Sequence, residues 1–140
     1  MRIKLDFVTN SSSSSFIVWG VSIDKNNLQN YDILTDKIYN EYLLRLRAGE
    51  DEILTKQEFF EQDDIYEVFK YLNIVLLKYG LSYAAPYDYE VIYIGIDPFE
   101  IEDHETGLEF KERVEKALKA VGIKEKPRRI EEAWQDGWWK

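Results

Sequence analysis

The run "FIVWGVSI" at residues 16–23 decides how the chain is read. Its β-branched and aromatic side chains predict a strand, and Gly20 within it marks a bulge or a close approach of backbones. Five consecutive serines, Ser11 to Ser15, stand directly before it. A serine tract is ordinarily a flexible linker, but with ten residues of this sequence ahead of it the expectation is that it links no domain. The abrupt change from hydroxyls to "FIVW" instead predicts an ordered tract leading into a strand that begins near Phe16. Its hydroxyls can satisfy their own backbone through local turns, and its N–H groups can form an anion-binding concavity. Asn10, Ser11, Ser12, Ser13, Ser14 and Ser15 are therefore a candidate anion or partner loop.

Outward from this strand, "IKLDFV" (3–8) has the loose alternation of a short strand, and "DKNNLQN" (24–30) reads as a polar loop. Leu34, Ile38, Tyr42 and Leu46 recur every fourth residue and predict a helix from about Asp32 to Ala48, stopped by Gly49. "TKQE" (55–58) has the capping-box form and opens a short helix carrying Phe59 and Phe60. A further helix spans about Asp64 to Lys78. Its stripe of Ile65, Val68, Phe69, Leu72, Leu76 and Tyr79, with a second apolar face, marks it as central and buried. "LSYAAPY" (81–87) and "EVIYIGI" (90–96) read as an antiparallel hairpin turning at "PYDY". "TGLE" (106–109) repeats the capping box ahead of a helix with Phe110, Val114, Ala117, Leu118 and Val121. Gly122 is its left-handed stop, and Ile123 packs back in a Schellman arrangement. "RRIEEAW" (128–134) reads as one or two last helical turns ended by Gly137, with Trp134 on the same face as Ile130. The sum is a single α+β domain over residues 1–140: a small antiparallel or mixed sheet of three to four strands with three to four helices packed on it.

At 140 residues, 45% of them hydrophobic, the chain can bury a core and is not of the disordered class. It has no cysteine, which excludes disulfides, thiol catalysis and cysteine zinc sites. No segment has the length of a membrane span and residues 1–9 lack an apolar signal core, so the expectation is a cytoplasmic protein without membrane attachment. The net charge of −9 disfavours direct nucleic-acid binding, which needs a basic footprint. The charge is uneven. Residues 50–67 hold eight acids against one lysine, and residues 97–109 hold six acids and no lysine or arginine, whereas residues 111–129 hold eight basic residues against three acids. Such asymmetry suits electrostatic docking to a protein partner, although solvated helix faces produce it too.

Chemistry has few places to reside. No glycine-rich loop with Gly-Lys-Ser/Thr follows the first strand, so a P-loop is excluded. A serine nucleophile needs a base, and the one histidine is His104. The acidic run "GIDPFEIEDHETGLEF" (95–110) begins just past a strand, and carboxylates converging there suit a hard cation such as Mg²⁺ or Ca²⁺. Asp97, Glu100, Asp103 and His104 are the candidate metal ligands, though their spacing fits no EF-hand loop. Glu105 and Glu109 are accounted for as helix-terminal acids. Apart from that cation no cofactor is called for. In "EEAWQDGWWK", three tryptophans fall within six positions; Trp134 suits the core, and Trp138 and Trp139 suit a partner-docking surface.

"DFVTNSSSSSFIV" (6–18) resembles the opening of small uncharacterised proteins of bacteriophages and low-GC bacteria. "DHETGLEFK" (103–111) and "IEEAWQDG" (130–137) are similar to the second half of some of them. The resemblance leaves residues 24–79 uncovered and brings no catalytic residue with it. It implies that the serines belong to a folded unit of phage or prophage type. Without a recognisable catalytic set, the first expectation is a non-enzymatic accessory protein that docks on a host or virion protein through acidic and aromatic surface. A metal-dependent phosphoester hydrolase working in loop 97–109 is one alternative. An acidic DNA mimic occupying another protein's nucleic-acid site is the other.

Overall fold

The computed structural model describes residues 13–46, 52–85 and 90–135, with the side chains of 13–16 and 132–135 left aside. The fold is α+β: one four-stranded antiparallel sheet in the order β2-β3-β1-β4, with helices against it. The strands are β1 (Ser13–Asp24), β2 (Ser82–Ala84), β3 (Val91–Ile96) and β4 (Arg128–Gln135). The helices are α1 (Asp32–Leu44), α2 (Lys56–Glu61), α3 (Ile65–Lys78) and α4 (Gly107–Ala120).

The strand predicted at 16–23 is the spine of the sheet, and it is longer than expected. It starts at Ser13, so Ser13 to Ser15 are strand and not loop, paired with Gln135, Trp134 and Ala133. Its second half, Trp19–Asp24, pairs with β3, whereas its first half, Ser13–Gly20, pairs with β4. Only Trp19 and Gly20 have a partner on both sides. The register against β3 is unbroken, so Gly20 marks no bulge. It stands opposite Gly95, and a Cβ built on either glycine would lie 2.0–2.2 Å from a carbonyl oxygen of the neighbouring strand. Close approach is thus the reason for both glycines.

Period-two alternation sorts the sheet into faces. Val21 and Ile23 of β1 and Ile92, Ile94 and Ile96 of β3 point into the main core, where they meet Leu34 and Ile38 of α1, Val68, Leu72, Val75 and Leu76 of α3, and Phe110, Val114 and Leu118 of α4. Val18, Ala84 and Ile130 form a smaller cluster with Tyr93 on the opposite face. Both capping boxes are formed: Thr55 with Glu58, and Thr106 with Glu109. Helices α3 and α4 each end in a Schellman turn on a positive-φ glycine, Gly80 and Gly122. The following Leu81 and Ile123 donate back to Leu76 and Leu118, and both are buried. Between α1 and α3 the buried carboxylate of Glu41 pairs with Arg45 at 2.9 Å and with Lys78.

Three further expectations need correction. Residues 128–134 are not helical turns; they form strand β4. The local pattern fits both periods, because Ile130 and Trp134 share a face in either, but nothing caps a helix here. The first half of β1 runs past β3, and β4 pairs with it along the opposite edge, so the backbone hydrogen bonds of residues 128–135 are made to a distant strand and not within a helix. Residues 24–30 are not a plain loop: Lys25–Asn30 wind into a 3₁₀ turn capped by Asp24, because Leu28 is pulled into the core. Helix α1 ends at Leu44, short of Ala48, with the Arg45 N–H closing on Glu41 and Tyr42. The hairpin β2–β3 is antiparallel as expected. The expected strand at 3–8, the turn "PYDY", the stop at Gly49 and Gly137 lie outside the described residues.

Candidate partner-binding surface

The acidic run after β3 is built as a sequence of capped turns. Asp97 ends the strand and accepts from the Phe99 N–H at 2.9 Å, while Pro98 supplies the fixed φ of a short 3₁₀ turn, Pro98–Glu100. The Glu100 and Ile101 N–H groups close back on Asp97 and Pro98. Glu105 then accepts from the Glu102 N–H at 3.1 Å, and Thr106 and Glu109 cap α4. Arg113, nearly two turns into α4, clamps the loop. Its Nε and Nη2 donate to the two Glu105 oxygens at 2.7 and 2.9 Å, and Nη2 also reaches the Glu100 carbonyl at 3.3 Å.

This forked ion pair dominates the local electrostatics. The hydrogen bonds from Arg113 hold the Glu105 carboxyl down at about 2, below the ordinary carboxylate range. Because the folded value is depressed, the pair's stabilising contribution is present above the ordinary carboxylate pKa and is lost as pH falls toward 2. In a carboxyl NMR titration Glu105 is expected to titrate near 2. Arg113→Ala should return it to the usual range and loosen the amides of residues 100–105. An unchanged Glu105 midpoint in that variant would show that the clamp does not set the loop.

The four candidate metal ligands are not brought together. Asp97 is occupied as a cap, and His104 lies 3.6 Å from Glu102 with both side chains exposed. Among the described residues no group of three or more His, Asp or Glu side chains is gathered as a cation site. Beside their exposed carboxylates the capped turns also present apolar side chains outward. Phe99 is 80% exposed, Leu108 68% and Ile101 39%, among six acids and no basic residue within 97–109. Neither Phe99 nor Arg113 figures in a reading of the run by its carboxylates alone. The available signal was an aromatic placed directly after Asp-Pro, a pair that favours turns.

The remaining candidates are distributed differently. Ser13, Ser14 and Ser15 lie in β1, where antiparallel pairing with β4 engages the backbone. Asn10, Ser11, Ser12, Trp138 and Trp139 lie outside the described residues, and Trp134 stands opposite Ser14 in the ladder. A separate open cavity of about 600 Å³ lies where α1 begins, lined by Tyr31, Asp32, Gly122, Lys124 and Glu125 among others. There the Tyr31 hydroxyl donates to Glu125. Burial and that carboxylate push its pKa up to about 12, which keeps it a neutral tether and no base at neutral pH. Among the described residues no helix is long and apolar enough to cross a membrane. Comparison with known proteins finds no matching family model, curated protein or solved structure.

Proposed function

We propose that the domain is a non-enzymatic protein-binding module that takes a basic, apolar segment of a partner protein on loop 97–109. One observation carries this reading: Phe99 is held almost fully in water on a turn that is capped, proline-fixed and clamped by Arg113. A turn whose backbone is fixed before binding loses little entropy on docking, and aromatic rings are common anchors of interfaces. Ile101 and Leu108 extend the apolar contact. Glu100, Glu102 and Asp103 surround it with negative charge, which favours lysine or arginine on the incoming segment and speeds encounter. The resemblance of residues 6–18 to small uncharacterised proteins of bacteriophages and low-GC bacteria suits an accessory role of phage or prophage type, on a host or virion protein.

The test uses fluorescein-labelled peptides that alternate Lys or Arg with Leu or Phe, titrated by anisotropy at low and high salt. Binding is expected for these and not for peptides with Glu in place of the bases, and it should weaken as salt screens the acids. Phe99→Ala should abolish it while leaving the thermal melt in place, because the ring packs on nothing it would leave hollow. Equal binding by Phe99→Ala, or no binding by the wild type, would overturn the reading.

A further inference from the structure

Among the described strands β4 stands at one edge of the sheet, with β1 on one side only. An edge of eight residues presents unpaired N–H and C=O groups and is open to another strand unless something discourages it. Natural edges are commonly blunted with charge, and β4 does carry charge: Arg128, Arg129, Glu131 and Glu132 around a central Ile130. The signs are not uniform, however. Two cations precede the isoleucine and two anions follow it.

That order has a consequence for an antiparallel copy of the same strand. Only alternate residues offer their backbone groups to the open edge, so a symmetric pair must match residues of like parity, and its two-fold axis passes through a residue. An axis at Arg129 sets Arg129 on Arg129. One at Glu131 or Glu132 sets like carboxylates together. An axis at Ile130 sets Arg129 opposite Glu131 and Arg128 opposite Glu132, twice each, with isoleucine on isoleucine between them. Opposite charges directly across a ladder stabilise it and like charges oppose it, so one register is selected and its neighbours are rejected. Arg129 and Glu131 are already on the same side of the strand, 3.2 Å apart and largely exposed. A facing copy would exchange these partners without stripping either charge of its counterpart.

We propose that two copies of the chain join edge to edge through β4, in the register centred on Ile130, to give a continuous eight-stranded antiparallel sheet. Five residue pairs, Arg128 to Glu132 of each copy, make a small interface, so the dimer is concentration-dependent. It stands apart from the reading of loop 97–109 and does not depend on it.

Sedimentation equilibrium over a range of protein concentrations tests this. The wild type is expected to move from the 16.7 kDa monomer toward twice that mass as concentration rises. Glu131→Arg with Glu132→Arg should be monomeric at every concentration, as should Arg128→Glu with Arg129→Glu. An equimolar mixture of the two charge variants should dimerise again, because unlike copies then face each other in the same register. Amide exchange on the wild type supplies a readout free of substitutions: the outward amides of β4 should slow as concentration rises, while those of β3 should not change. A wild type that stays monomeric, a charge variant that still dimerises alone, or a mixture that fails to recover would each overturn the proposal.

Discussion

Gly95→Val is expected to unfold the sheet, with Gly20→Val close behind it. A Cβ on Gly95 would lie 2.2 Å from the Trp19 carbonyl oxygen, and one on Gly20 would lie 2.0 Å from that of Ile94. Overpacking of a core usually costs about 1–3 kcal/mol, because side chains can rotate away. Here the obstacle is backbone of a paired strand, which can yield only by parting the ladder, so the loss should reach or exceed the upper figure. The site is also where β1 changes partners, since Trp19 and Gly20 alone pair with both β3 and β4. Gly107→Ala is the matched control. It opens α4 with no atom within 4 Å of the added carbon, and it should leave stability unchanged or raise it by about 0.4–1 kcal/mol. Chemical denaturation of the three variants checks this; a Gly95→Val protein with wild-type midpoint would mean that the strands sit farther apart.

Phe59→Ala is the second large effect. Helix α2 has six residues, too few to persist on its own helical preference, and Phe59 is its only buried side chain. The ring is fully buried among Tyr42 at 4.8 Å, Phe60 at 5.0 Å and Tyr71 at 5.9 Å between centroids. Around it Tyr39 donates its hydroxyl to the Leu54 carbonyl at 2.6 Å, and the Leu54 N–H donates to the Tyr42 hydroxyl at 3.0 Å. Truncation should cost about 3–5 kcal/mol, a large share of the roughly 5–15 kcal/mol that holds a domain together. Phe59→Leu, which keeps most of the volume, should lose far less. Urea midpoints and near-UV circular dichroism of the tyrosines report both. If Phe59→Ala loses under about 1 kcal/mol, α2 is an appendage and not part of the core.

The elements that could be read from sequence were those whose ends are written locally. Thr106, Glu109 and Gly122 each act within a few residues, and α4 lies where those residues predict it. The same holds for Thr55 with Glu58 and for Gly80. Strand β4 was misread because its identity is decided far away: "RRIEEAW" carries no local strand mark, and its partner is the serine end of β1. The acidic run was legible as a loop but not as a surface. Counting carboxylates cannot reveal that Asp97, Glu105 and Glu109 are each engaged by a backbone N–H or by Arg113, nor that Phe99 is left facing water.

The divided pairing of β1 also bears on how the chain assembles. The half that meets β3 closes a loop through the helices between them, whereas the half that meets β4 must wait for a segment most of the chain away. Closing so long a loop is entropically slow, and pairings of high sequence separation retard folding. Residues Ser13 to Val18 are thus made before the helices and completed after them. A nascent chain emerging from the ribosome would carry that stretch of strand edge unpaired until Arg128–Gln135 had been synthesised. Of that stretch, Ser13, Ser14 and Ser15 offer a stray strand only hydroxyls, whereas Phe16, Ile17 and Val18 are the apolar part of the edge that β4 comes to cover.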